Sequence, residues 1–107
     1  MGKEMEDLLK SHKSFTKERN WDSFQSPKNL CMALSVETAK LMEIFTWLSE
    51  RQSYSLSDDQ FEAASDEIAD IFLYLLRLSD VLGVDIIEAS KIKMIKNIKK
   101  HPAPLKN

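Results

Sequence analysis

Cysteine is almost missing from this chain: its 107 residues include one, Cys31. A lone cysteine forms no internal disulfide, so a scaffold stapled by crosslinks is excluded and a reducing compartment suits it. Glycine and proline are also scarce, at two and three. That is too few for the many turns of a β-sandwich and leaves long helices as the economical solution. Positive charge is not in excess, since the formal net charge is -2. Binding to a nucleic-acid polymer calls for a basic footprint, and the net charge argues against one. No apolar run approaches the ~18 residues of a membrane span. The first thirty residues lack the form of a signal peptide, and Glu6 stands where myristoylation wants Ser or Thr. We therefore expect a soluble, cytoplasmic protein that engages neither membrane nor nucleic-acid polymer.

What is present suits a globular fold. Hydrophobic residues make up 43% and charged residues 30%, a balance that fits one folded domain over residues 1–107. The first helix is predicted from Lys3 to Arg19, with Leu8, Leu9, His12 and Phe15 at helical spacing. "NWDSFQS" breaks it. Ser26 offers an N-cap and Pro27 an N1 residue for a second helix reaching about Glu50. "RQSYSLS" reads as a polar loop. Ser57 with Gln60 forms a capping box for a third helix, Asp58 to Leu82. Gly83 ends that helix, and Asp85 with Glu88 opens the fourth. The fold class is all-α, a four-helix, bundle-like domain.

Two features break this regular pattern. On the second helix, Ala33, Leu34, Leu41, Ile44 and Leu48 share a face, and Glu37 lies in the middle of it. Lys40 and Glu43 follow on a diagonal leaving that face. The third helix is apolar almost all round and should run through the core, yet Asp66, Glu67 and Asp70 lie together on one side. Tyr74 and Arg77 continue that side. Carboxylates beside a dry core are costly unless a cation neutralises them. Acids on facing helices are how bundles build metal sites, and an all-oxygen set suits a hard ion such as Mg²⁺. The plainer alternative is a set of solvated acids, with Glu67 paired to a lysine.

The ordered set "HKSFTKERNWDSFQSPKNL", "NLCMALSVETAKLMEIFTW", "DEIADIFLYLL", "DIFLYLLRLSDVLGVDI" and "KMIKNIKKHP" resembles the MazG-like all-α nucleoside triphosphate pyrophosphohydrolases. The likeness is closest to their dCTP pyrophosphatase branch and covers nearly the whole chain. It implies Mg²⁺-dependent cleavage of nucleoside triphosphates between the α and β phosphates, giving monophosphate and pyrophosphate. It implies Glu37, Glu67 and Asp70 as metal ligands and catalytic carboxylates, with Glu43 a further candidate proton acceptor. The family pattern is Glu-x-x-Glu on one helix and Glu-x-x-Asp on the next, and Lys40 stands where its second glutamate falls. An alternative follows from that lysine: a catalytically weakened bundle that binds nucleotide or a partner. By the same likeness His12, Trp21 and Trp47 would line a base pocket, with Tyr74 near the nucleotide. Lys93 and Asn97 would hold phosphates. Tryptophans are otherwise explained by packing, and "KIKMIKNIKK" by a solvated lysine face or, less compatibly with the acidic whole, a basic surface-binding helix. Family members form dimers and tetramers, so a homotetramer, a dimer of dimers, is the expected assembly.

Overall fold

The computed structural model describes residues 2–105, and among them it contains helices and no strand. The helices are α1 (Lys3–Glu18), α2 (Pro27–Thr46), α3 (Glu50–Ser53), α4 (Asp58–Leu82) and α5 (Ile86–Lys100), with a 3₁₀ turn at Asp22–Phe24. Each boundary has a local cause. The Ser26 hydroxyl accepts a hydrogen bond from the Asn29 amide, and Pro27 fills the first turn of α2, where its missing N–H costs nothing. The Ser57 hydroxyl accepts from the Gln60 amide, and the Gln60 side chain accepts from the Ser57 amide, a closed capping box. At the other end of α4, Gly83 takes a left-handed φ of 71°. The Gly83 and Val84 amides bond to the carbonyls of Asp80 and Ser79, the Schellman arrangement in which glycine is favoured. The Asp85 carboxylate accepts from the amides of Ile87 and Glu88 and starts α5.

Two segments differ from the sequence expectation. Helix α2 stops at Thr46 rather than near Glu50, and "RQSYSLS" is not all loop. Ser49 and Gln52 form a further capping box that opens the four-residue helix α3. The break after α1 likewise holds the short 3₁₀ turn. Asn20, with φ of 58°, is the left-handed residue that turns the chain out of α1, a conformation asparagine tolerates better than most residues.

Helices α2 and α4 form the main packed pair, and α1 lies against α4. Leu9, Leu30, Ala64 and Leu76 are the buried apolar residues, joined by buried Thr16. The expectation that α4 would run through a core on all sides is not met within one chain. Phe61, Ile68, Phe72 and Leu75 on α4 remain exposed, as do Ile92, Met94, Ile95 and Ile98 on α5. Helix α5 makes hardly any contact with the other helices. The radius of gyration is 17.3 Å, against about 13 Å for a compact chain of some 100 residues.

One polar cluster holds the α1–α2 connection in place. The Thr16 hydroxyl, 1% exposed as a residue, lies 2.9 Å from Asp22 Oδ1 and 3.0 Å from the Lys13 carbonyl. From α4, the Arg77 Nε–H donates to Gln25 Oε1 at 3.2 Å, and its guanidinium stands 4.0 Å from Asp22 and 3.6 Å from Asp80. Lys13 reaches the same Asp80 at 3.4 Å. The connection carrying Trp21 is thereby tied to both α1 and α4. We expect Thr16→Val to lower stability by about 1 kcal/mol, read as a lower urea midpoint at fixed protein concentration, and to shift tryptophan emission to the red. An unchanged midpoint and spectrum would show that the connection does not depend on Thr16.

Candidate metal centre and adjoining pocket

Helical period places the acids. Glu37 projects from α2 within the stripe formed by Leu30, Ala33, Leu34, Leu41 and Ile44, all buried or half-buried. Glu67 and Asp70 are three residues apart on α4, so they lie one above the other on the side facing that stripe. One carboxylate oxygen from each of Glu37, Glu67 and Asp70 falls within 4.8 Å of the others. Among the described residues this is the cluster of acids able to share an ion. Glu43 is exposed farther along α2 and is not part of it.

The electrostatics of the cluster are unfinished. The Glu37 side chain is 13% exposed. Its Oε2 and the Oε2 of Glu67 are buried with no hydrogen-bond partner. Contact with the Glu37 carboxylate raises the Glu67 carboxyl above its ordinary range, and desolvation adds to the rise. Lys40, largely solvated, stands 3.4 Å from Glu37 Oε1, and that hydrogen-bonded partner raises its pKa. Two buried carboxylate oxygens without donors are what a cation would neutralise. A divalent ion with hard-oxygen preference fits this donor set.

Beside the acids lies a cavity of about 410 Å³, whose wall includes His12, Trp21, Gln25, Glu37, Asp70 and Tyr74. The sequence-predicted residues His12, Trp21 and Tyr74 are therefore brought to the acids. The His12 and Tyr74 rings meet edge to face, centroids 6.2 Å apart, and Phe15 meets Trp21 in the same manner at 5.4 Å. Burial lowers the His12 pKa, with the Arg77 charge acting the same way and Asp70 opposing. The net effect favours the neutral ring, and its buried Nε2 has no partner. Burial raises the Tyr74 pKa, and Glu37 and Asp70 add to it, so the phenol keeps its proton. The arrangement offers an acidic end for a cation and an aromatic end with a free polar nitrogen for a flat, polar ring.

The other sequence-predicted residues lie elsewhere in the single chain. Trp47, at the end of α2, is 89% exposed. Lys93 and Asn97 sit on α5, with Asn97 half-buried, and neither lines the cavity. Gln25 was not among the expected site residues. It lies in an irregular connection where no periodic pattern marks a side chain, and its place follows from Arg77.

Comparison with known proteins identifies the family. The MazG-like family matches residues 32–107. Bovine dCTP pyrophosphatase 1 is 33% identical over 103 residues, and the murine protein of that name 32%. Both alignments take in 94% of this chain, which spans 61% of the length of those relatives. A pyrophosphatase from Archaeoglobus fulgidus is 38% identical, superimposes with a TM-score of 0.87 and is covered over 96% of each chain. Three carboxylates gathered from α2 and α4 beside an aromatic cavity thus occur in a chain that belongs to the MazG-like family.

Proposed function

We propose that this chain, a single MazG-like domain of the cytoplasm, hydrolyses nucleoside triphosphates to monophosphate and pyrophosphate with Mg²⁺ as cofactor. We take dCTP or a modified pyrimidine deoxynucleotide as the preferred substrate and nucleotide-pool housecleaning as the role. One observation carries the reading: the partnerless buried oxygens of Glu37 and Glu67 lie beside a cavity walled by His12, Trp21 and Tyr74. The names of the bovine and murine relatives support the choice of dCTP.

Glu37, Glu67 and Asp70 would hold the metal. Bound there, the ion supplies neutralisation of phosphate charge and a lower pKa for a coordinated water. The chain's own groups do the rest. Trp21 and Tyr74 offer ring surfaces to a base, and neutral His12 presents Nε2 to its polar edge. One of these carboxylates accepts a proton from the attacking water. Glu43 is the more distant candidate. Trp47, Lys93 and Asn97 reach a pocket only if a second subunit brings them there.

A homotetramer, a dimer of dimers, supplies that subunit. Support comes from the exposed apolar residues of α4 and α5 and from the open shape of the chain, because apolar area of this kind is stabilised by burial against a copy. Light scattering at micromolar concentration should give four chains per particle, and a monomer would overturn the assignment.

The competing reading, a weakened bundle that binds nucleotide or a partner without turnover, draws on the Lys40–Glu37 pair. Assays over a panel of deoxynucleotides and ribonucleotides separate the two. We expect Mg²⁺-dependent pyrophosphate release with dCTP among the better substrates. Chelation with EDTA should abolish it, and Glu67→Gln should reduce it by roughly a hundredfold or more. Release of orthophosphate alone, or preference for purine ribonucleotides, would contradict the assignment. Nucleotide binding without any release would favour the competing reading.

A further inference from the structure

We infer that the metal centre takes one divalent ion per chain, and that Lys40 supplies the additional positive charge as resident partner of Glu37 and of the substrate's phosphates. The inference rests on the proposed reading of the site as a triphosphate pocket. It comes from assigning the cluster oxygen by oxygen. Glu37 uses its two oxygens differently: Oε1 stands 3.4 Å from Lys40 Nζ, while Oε2 is buried without a donor. Glu67 Oε2 is buried and equally without one. The oxygens short of a partner are therefore buried ones that the lysine does not hydrogen-bond.

Charge leads to the same conclusion. Glu37, Glu67 and Asp70 together offer three negative charges when ionised, and the Lys40 ammonium with one dication balances them. A second dication at the outer oxygen of Glu37 would sit against the ammonium, with which it competes for that oxygen. The lysine lies at i+3 from Glu37, one turn along α2, and its side chain is 54% exposed. Its head is thus at the rim of the acids, where it meets water and any anion arriving from outside. A compact ammonium on a flexible stem is suited to contacting a phosphate oxygen without leaving the cluster. Among the described residues no other cation forms an ion pair with these three acids.

The test counts ions without needing turnover. Mn²⁺ is titrated into nucleotide-free protein, and the free ion is followed by electron paramagnetic resonance. Wild type should bind one Mn²⁺ per chain and Lys40→Glu two. Lys40→Met should still bind one, roughly tenfold more tightly, because the competing ammonium is gone. Affinity for a non-hydrolysable α,β-imido analogue of dCTP is then measured by calorimetry at saturating Mn²⁺. Lys40→Met should lose roughly tenfold relative to wild type, and Lys40→Arg should recover most of it. The position is exposed, so these variants should fold; Lys40→Gln serves as a second neutral substitution. Two Mn²⁺ per wild-type chain, no additional ion in Lys40→Glu, or an unchanged analogue affinity in both neutral variants would overturn the assignment. If wild type releases no pyrophosphate while the ion counts and analogue affinities hold, the enzymatic reading fails and the role of Lys40 stands.

Discussion

The contact between two carboxylates, Glu37 on α2 and Glu67 on α4, governs how the rest of this protein must be understood. Like charges brought together at a helix–helix interface oppose packing, and each carries a buried oxygen that no group among the described residues satisfies. Ordinary cores avoid such groups. Here the opposition sits within the principal helix pair of the fold. The apolar stripe of α2 and its counterpart on α4 must therefore hold the helices together in spite of it. A cation shared by the three acids would offset that cost.

Helix α4 carries demands on nearly every side. One side presents Glu67, Asp70 and Tyr74 to the site. Arg77, farther along, anchors the α1–α2 connection and with it Gln25 at the cavity wall. Ala64 and Leu76 are buried, while Phe61, Ile68, Phe72 and Leu75 face outward. A helix of 25 residues that is apolar on two sides and acidic on a third cannot satisfy all of them within a chain this short. The sides left over are apolar, which explains why the single chain looks open.

How much of this was legible in the sequence follows from the range over which each signal acts. Helix positions depend on neighbours three and four residues apart. The Ser26, Ser57 and Gly83 boundaries and the Glu37 face were accordingly readable. The Ser49–Gln52 box carried the same signal as Ser57–Gln60, but a stretch rich in serine obscured it and the segment read as loop. The three acids were identifiable because a charge inside an apolar stripe is an anomaly at helical spacing. Gln25 was not, since a connection has no period against which an anomaly can stand out. The place of α4 misled for a different reason. An all-round apolar helix announces burial but does not say whether its own chain or another provides the cover.

The small interior has a consequence for how the protein comes to be folded. Few side chains are fully enclosed within one chain, and α5 rests on almost nothing of its own. A chain of this kind gains little by folding in isolation, and in the proposed homotetramer much of its apolar surface would be covered by copies of itself. Acquisition of the native state would then be second order in chain number. Dilution would slow it, and freshly synthesised chains would have to encounter one another before their last helix is secure. A polypeptide this short would ordinarily be a fast, self-sufficient folder; a tetramer of this one would tie its maturation to its own abundance.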